Sequence, residues 1–331
     1  MSEEKKLKTG ITTGTAATAA AKGALIKILK GVIPDKVDVV LPDKRILEIP
    51  LILKNDMVGV KKWSGDDPDV TDGIEIFAKV DFTKDDGVVQ IKGGEGVGVA
   101  TKPGLQIKVG EAAINPAPRR MIEENLKPLL PEGVGVKVTI IVPDGLKIAE
   151  KTFNSRLGIV GGISIIGTTG IVKPMSLEAL IQTIKCEIDV LLASKVKDIW
   201  LVPGNIGEKC LKVFMDIETV IVSNYFEDAL SYLRERQVEK VGIAGHPGKI
   251  AKLAMGYFNT HSKNSPQANS YIKNVLNVDD DFNTVEEICD KYCFDKIAEE
   301  VSKKVKERYG FSKVNVILFD MKCRLVGKFY D

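Results

Sequence analysis

At 331 residues the chain exceeds what one hydrophobic core usually serves, so two domains are expected. Its composition, 44% hydrophobic and 28% charged, is that of an ordinary soluble globular protein. Forty-seven basic against 45 acidic side chains leave a net charge of +2, which argues against a nucleic-acid partner, and no apolar run approaches the ~20 residues needed to cross a bilayer.

The leading Met-Ser-Glu-Glu-Lys-Lys-Leu-Lys lacks the apolar core of a signal peptide, so the cytoplasm is the expected compartment. Thr9-Gly10-Ile11-Thr12-Thr13-Gly14-Thr15 then opens a helix expected over Ala16–Lys30. Its alanines favour helix, Thr12 or Thr13 can cap it, and Gly31 can end it. Such small side chains suit close packing on a sheet or a helix N-terminus aimed at an anion. Residues 36–92 alternate as strands, with Pro42-Asp43-Lys44 and Asp85-Asp86-Gly87 as turns.

Between two of these strands lies Gly65-Asp66-Asp67-Pro68-Asp69-Val70-Thr71-Asp72-Gly73. Its glycine and carboxylate spacing excludes an EF-hand. It reads either as a solvated turn or helix cap, or as a loop holding a carboxylate near a substrate as base, hydrogen-bond acceptor or ion ligand. Gly93-Gly94-Glu95-Gly96-Val97-Gly98 fails the dinucleotide spacing, but so many glycines require backbone to approach something closely, a strand or a ligand. Arg119 and Arg120 fall in the first turn of a short helix ending at Leu126, where the dipole disfavours cations. An α+β domain over residues 1–155 is expected from this half.

Residues 156–331 change rhythm. Short β-branched runs at 163–167, 199–205, 219–224 and 241–246 each precede a helical pattern, which implies βαβ units and a four-stranded parallel sheet. Each run ends in small or polar residues: Gly167, Thr168, Thr169 and Gly170; Gly204 and Asn205; Ser223 and Asn224; Gly245 and His246. Ligands of open parallel sheets bind outside the strands' carboxyl ends, so these ten residues form the candidate cofactor site. An amphipathic helix near 284–308 and two strands, Val314–Asp320 and Arg324–Tyr330, read as structural closure. The five cysteines are read as reduced structural thiols, with Cys289 and Cys293 on one helix face and no metal site. His246 can cap a helix, and His261 is placed at a helix C-terminus.

There is no phosphate loop, zincin motif or nucleophile elbow. Residues alone point to a small-molecule enzyme or binding protein. The segments Thr9–Ala17, Gly65–Thr71, Gly93–Gly98 with Thr101–Leu105, Ala113–Arg120, Gly161–Ser176, and Gly245–Lys249 with Phe258–Ser262 together resemble the CbiD family of cobalamin biosynthesis. The resemblance spans about residues 8–263 and departs at Thr15-Ala16, where the family often carries a cysteine.

It implies S-adenosyl-L-methionine-dependent methylation of cobalt-precorrin-5B at C1, giving cobalt-precorrin-6A. It also implies an N-terminal α+β domain similar to a permuted ribosomal S5 domain 2, and a C-terminal α/β domain with a four-stranded parallel sheet. On that basis Asp67 and His261 are candidates for proton handling, and Lys102, Arg119, Arg120 and Lys173 for the carboxylates of the macrocycle. Cobalt would arrive within the substrate, and other enzymes of the pathway are conceivable partners. A non-catalytic tetrapyrrole carrier and a small-molecule phosphotransferase are the alternatives.

Overall fold

The alanine-rich segment forms helix α1 (Thr13–Lys30) in the computed structural model of the chain, which describes residues 7–278 and 282–331. Met1–Lys6, most of the segment read for a signal peptide, lies outside the described residues. Thr12 caps α1 by accepting the Thr15 amide, and Gly31 closes it in the left-handed conformation. The chain divides into two compact units, Met1–Ser176 and Leu177–Asp331.

In the first unit, β4 (Ile52–Lys54), β5 (Met57–Lys61), β6 (Glu75–Thr83), β9 (Gly135–Ile141) and β7 (Val89–Gly93) make a sheet in that order. All its pairs are antiparallel except β7 with β9. A separate hairpin joins β2 (Lys36–Val40) to β3 (Ile46–Pro50). Helix α1 is buried in a core with the inner residues of this sheet, such as Val60, Ile76, Val138 and Ile140, and with Met121 and Ile122 of α2 (Pro116–Leu126). Ala16, Ala17, Ala19, Ala20 and Ala21 are wholly buried, which is why larger side chains are absent there.

Short pairs complete the unit: β1 (Gly10–Ile11) with β11 (Ile171–Val172), and β8 (Val99–Ala100) with β10 (Ile159–Val160); α3 (Gly145–Ala149) is one short turn of helix. These pairs explain why the boundary falls at 176 rather than the expected 155. Residues 159–172 are hydrogen-bonded to strands and helix ends of the first unit and belong to its fold.

The second unit starts with α4 (Leu177–Ala193) and then alternates β12 (Trp200–Val202), α5 (Asn205–Phe214), β13 (Thr219–Ile221), α6 (Phe226–Glu235), β14 (Lys240–Gly245) and α7 (Pro247–Ala254). Then come α8 (Asn269–Leu276), α9 (Val285–Cys289), α10 (Asp295–Tyr309) and the strands β15 (Lys313–Phe319) and β16 (Leu325–Phe329). The sheet order is β13-β12-β14-β15-β16, parallel throughout except for the antiparallel edge strand β16. Its apolar core comes from Leu201, Val220, Ile243 and Val316 packed by Leu230, Leu253 and Val301 of the helices.

The run at 163–167, expected as the first of the parallel strands, is not in this sheet. Ile163 and Ile165 instead bridge Val97 and Ile114 in the first unit, and β15 supplies the fourth parallel strand. The segment read as closure therefore carries part of the central sheet.

Candidate functional site

The thread through the second sheet sets the site. From β12 the chain moves outward to β13, then crosses back to the other side of β12 to lay down β14. This reversal lies at the carboxyl ends of β12 and β14, the place where open parallel sheets take their ligands.

Gly204 follows β12 and caps α5 without any side-chain bond. The first intrahelical bond runs from the Glu208 amide to the Gly204 carbonyl, so among the described residues the amides of Asn205, Ile206 and Gly207 have no acceptor. Gly204 itself is fully extended (φ 173°, ψ −178°), a conformation open to any residue, and a Cβ there would meet nothing within 4 Å. No packing or conformational demand of the chain calls for glycine. Gly245 differs, since its missing Cβ leaves room for Pro203, 3.0 Å from where that atom would sit.

Beyond β13, Ser223 is held at φ 54°, strained for a non-glycine residue. Its neighbour Asn224 ties in the 258–265 loop: the Thr260 amide donates to the Asn224 carbonyl (3.0 Å) and the Thr260 hydroxyl lies 3.2 Å from Asn224 Oδ1. Structure thus brings Gly204, Asn205, Ser223, Asn224, Gly245 and His246 to one edge of the second unit, with the loop bearing His261 bonded to it. His261 does not end a helix, because α7 stops at Ala254; it starts a turn, and its Nδ1 accepts the Lys263 amide (3.1 Å). The expected placement of His261 at a helix C-terminus is therefore corrected. Its Nε2 carries the ring proton in the neutral form.

His246 caps α7 through Nδ1, which accepts the Gly248 amide, and Nε2 lies 3.0 Å from Glu286 Oε2. Cys289 completes a trio whose donor atoms lie within 4.8 Å of one another. Burial, followed by Glu286, Asp320 and Asp290, pushes the Cys289 thiol up to about 12, so it stays protonated. With Nδ1 spent on the cap, Nε2 bears the proton and donates to Glu286, whose oxygens also accept the Met321 amide. His246 and Glu286 are joined by this hydrogen bond, and Cys289 lies beside them as a buried thiol.

Cysteine pairing also departs from expectation. Cys210 on α5 and Cys323 in the β15–β16 turn form a disulfide, brought together by the sheet across 113 residues of sequence. Cys293 lies beyond the end of α9 and is exposed, so it shares no helix face with Cys289.

The turn Gly167, Thr168, Thr169 and Gly170 serves the first unit. The Gly14 amide donates to the Ile166 carbonyl, the Thr12 amide and the Thr15 hydroxyl donate to the Gly170 carbonyl, and Thr13 Oγ1 accepts the Ile166 amide. The N-terminus of α1 is thereby filled with protein carbonyls, which decides between the packing and anion readings in favour of packing. Thr169 bonds its own neighbour Ile171, while Thr168 is exposed.

The acidic loop is a set of staples. Asp66 accepts the Lys8 amide, Asp67 Oδ1 the Met175 amide (2.8 Å), and Asp72 the Ser64 amide. Asp69 pairs with Lys62, which is 1% exposed. Burial alone would raise the Asp69 carboxyl, but the Lys62 ammonium and the Thr71 amide and hydroxyl outweigh it and hold it below the usual value.

Lys62→Met leaves that carboxylate without its cation and should cost about 3 kcal/mol in urea unfolding; a loss under about 1 kcal/mol would contradict this account. Because the folded pKa is depressed, the Asp69 contribution is fully present above the ordinary 3.8 and is lost as pH falls below it. The difference in stability between wild type and Lys62→Met should accordingly shrink in acid.

The expected anion partners lie in the first unit with unequal freedom. Arg119 spends Nε on the Ile114 carbonyl and Nη1 on that of Ile91, which places it as a strut between α2 and β7. Lys102 packs its stem where a Gly158 Cβ would sit. Arg120 and Lys173 are exposed, with no ion-pair partner among the described residues. Asp67 belongs to the first unit and His261 to the second. Two features escaped sequence reading: the Lys62–Asp69 pair, and a buried Lys252. A lysine in a strand or helix is ordinarily solvated, and no local pattern marks the exception.

Residues 1–174 match the CbiD family model. The chain is 42% identical over 351 aligned residues to the cobalt-precorrin-5B C(1)-methyltransferase of Methanocaldococcus jannaschii, covering 98% of this chain and 97% of that one. It is 40% identical to the protein of that name from Thermoanaerobacter sp. (strain X514), covering 97% and 90%. The crystal structure of a cobalamin biosynthesis protein (cbiD) from Archaeoglobus fulgidus is 30% identical, with 78% of this chain and 83% of that one covered and a TM-score of 0.43. No helix among the described residues is long and apolar enough to cross a membrane.

Proposed function

The chain belongs to the CbiD family, and from that premise we infer that it is a cobalt-precorrin-5B C(1)-methyltransferase acting in cobalamin biosynthesis, with cobalt-precorrin-6A as product. We propose S-adenosyl-L-methionine as the methyl donor. When bound it supplies an electrophilic methyl on sulfur, so the protein needs no nucleophile of its own. Its tasks are to align donor with ring carbon and to keep water out.

The carrying observation is Gly204, a glycine that the fold does not need, beside three uncommitted amides at the switch in strand order. Those amides suit the hydroxyl and carboxylate oxygens of the donor, and Ser223, Asn224, Gly245 and His246 complete the proposed rim. His246 shapes it through the α7 cap. The 167–170 turn is outside this set, so Thr168→Val should leave donor affinity unchanged.

Arg120 and Lys173 are proposed partners of the macrocycle's carboxylates, with Lys102 and the remaining donors of Arg119 in support. Asp67 through Oδ2 and His261 through Nε2 are the proposed proton-handling groups. A division resembling a permuted S5 domain 2 followed by a four-stranded parallel sheet is proposed for the family fold. Calorimetry of the purified protein with S-adenosylhomocysteine tests the donor assignment: saturable binding is expected, and no heat with either the donor or this product would overturn it.

A further inference from the structure

Two buried lysines among the described residues differ in their partners. Lys62, buried in the first unit, has Asp69 beside it. Lys252 on α7 is 8% exposed, and its ammonium donates only to neutral oxygens, the Thr260 carbonyl (3.1 Å) and Ser265 Oγ (3.0 Å). An ammonium has three donors, so one is uncommitted. Lys249 stands three residues earlier on the same face of α7, half-buried, and likewise lacks a carboxylate among the described residues. Burial, and then the charge of Lys252, lower its pKa. Two neighbouring desolvated cations without an acid are costly unless an anion is supplied from outside.

The surroundings locate that anion. The Lys249 amide donates to the His246 carbonyl, one turn from the carboxyl edge of the sheet, and the Thr260 carbonyl that holds Lys252 belongs to the residue bonded to Asn224. We propose that Lys249 and Lys252 form a carboxylate-binding subsite on the rim of the methyl-donor site. The proposal rests on the methyltransferase reading, because that chemistry brings carboxylates from two sources: the amino-acid end of the donor and the acidic side chains of the macrocycle.

Lys249→Met keeps the apolar stem and removes the charge at a half-buried position, so folding should survive; thermal unfolding checks this. If the donor supplies the carboxylate, the variant should bind S-adenosylhomocysteine about tenfold or more weakly in calorimetry, while a decarboxylated analogue binds wild type and variant alike. If the macrocycle supplies it, affinity for S-adenosylhomocysteine is unchanged and the KM for cobalt-precorrin-5B rises by a similar factor, with Lys249→Arg restoring it in part. Both parameters unchanged in the folded variant would overturn the subsite. Absence of S-adenosylhomocysteine binding by the wild type would overturn the donor assignment instead, and the macrocycle arm would still decide the subsite.

Discussion

Replacing Gly204 by valine should keep the protein within about 1 kcal/mol of wild-type stability and weaken S-adenosylhomocysteine binding by about tenfold to a hundredfold. The backbone there is extended, which valine favours, and the first Cβ meets no atom of the chain within 4 Å. No contact of that Cβ resists the substitution, and the poorer capping by valine at the start of α5 should cost no more than about 1 kcal/mol. A ligand seated against the Asn205–Gly207 amides would meet the branched side chain directly, and forcing extra methyl groups into a fitted contact costs about 1–3 kcal/mol. Thermal unfolding and calorimetry on the same sample separate the two effects. Unchanged affinity would remove the ligand from this turn, whereas a stability loss well beyond about 1 kcal/mol would show that the glycine serves the fold.

The reverse holds for Gly96, where alanine should be among the most damaging single substitutions in the chain. A Cβ at this position would lie 1.8 Å from the Val142 carbonyl oxygen, and φ is +70°. The approach is reciprocal: the absent Cβ atoms of Gly145 and Gly162 would fall 2.0 and 2.1 Å from the Gly96 carbonyl oxygen. Three backbone segments thus meet where no side chain fits. The loss should reach about 4 kcal/mol or more, combining left-handed strain with backbone displacement. Gly110→Ala is the control, because φ is +88° but nothing lies within 4 Å, and only the conformational cost of about 1–2 kcal/mol applies. Guanidinium unfolding of the two variants should differ by about 2 kcal/mol or more; equal losses would contradict the steric account.

Local chemistry made much of this architecture readable. The alanine run specified α1, and apolar runs alternating with helical periods specified βαβ units in the second half, because both signals are carried by neighbouring residues. Pairing partners are not. Ile163–Ile166 followed by Gly167-Thr168-Thr169-Gly170 has the local form of a strand entering a ligand turn, yet long-range bridges to Val97 and Ile114 assign it to the other unit. The same limitation hid the place of β15: Val314–Asp320 reads as a strand, but nothing local shows that it joins the parallel sheet beside β14.

The position of Gly204, Asn205, Ser223, Asn224, Gly245 and His246 at the carboxyl edge of the second sheet was legible, because turn composition and strand order agree there. Bonds that the sequence does not announce tie three other candidates to the fold: Asp67 gives Oδ1 to the Met175 amide, the turn that carries Thr168 bonds α1, and Arg119 gives two donors to carbonyls. Polar residues in loops look alike in sequence whether they bind a ligand or the loop's own backbone. Lys252 was invisible for the opposite reason, since only the tertiary fold buries it.

The central claim is methyl transfer, and it is tested most directly by incubating the purified protein with cobalt-precorrin-5B and S-adenosyl-L-methionine labelled in its methyl group. The account predicts that the label appears at C1 of the macrocycle together with S-adenosylhomocysteine. Retention of the macrocycle without incorporation of label by a correctly folded sample would contradict it and identify a carrier.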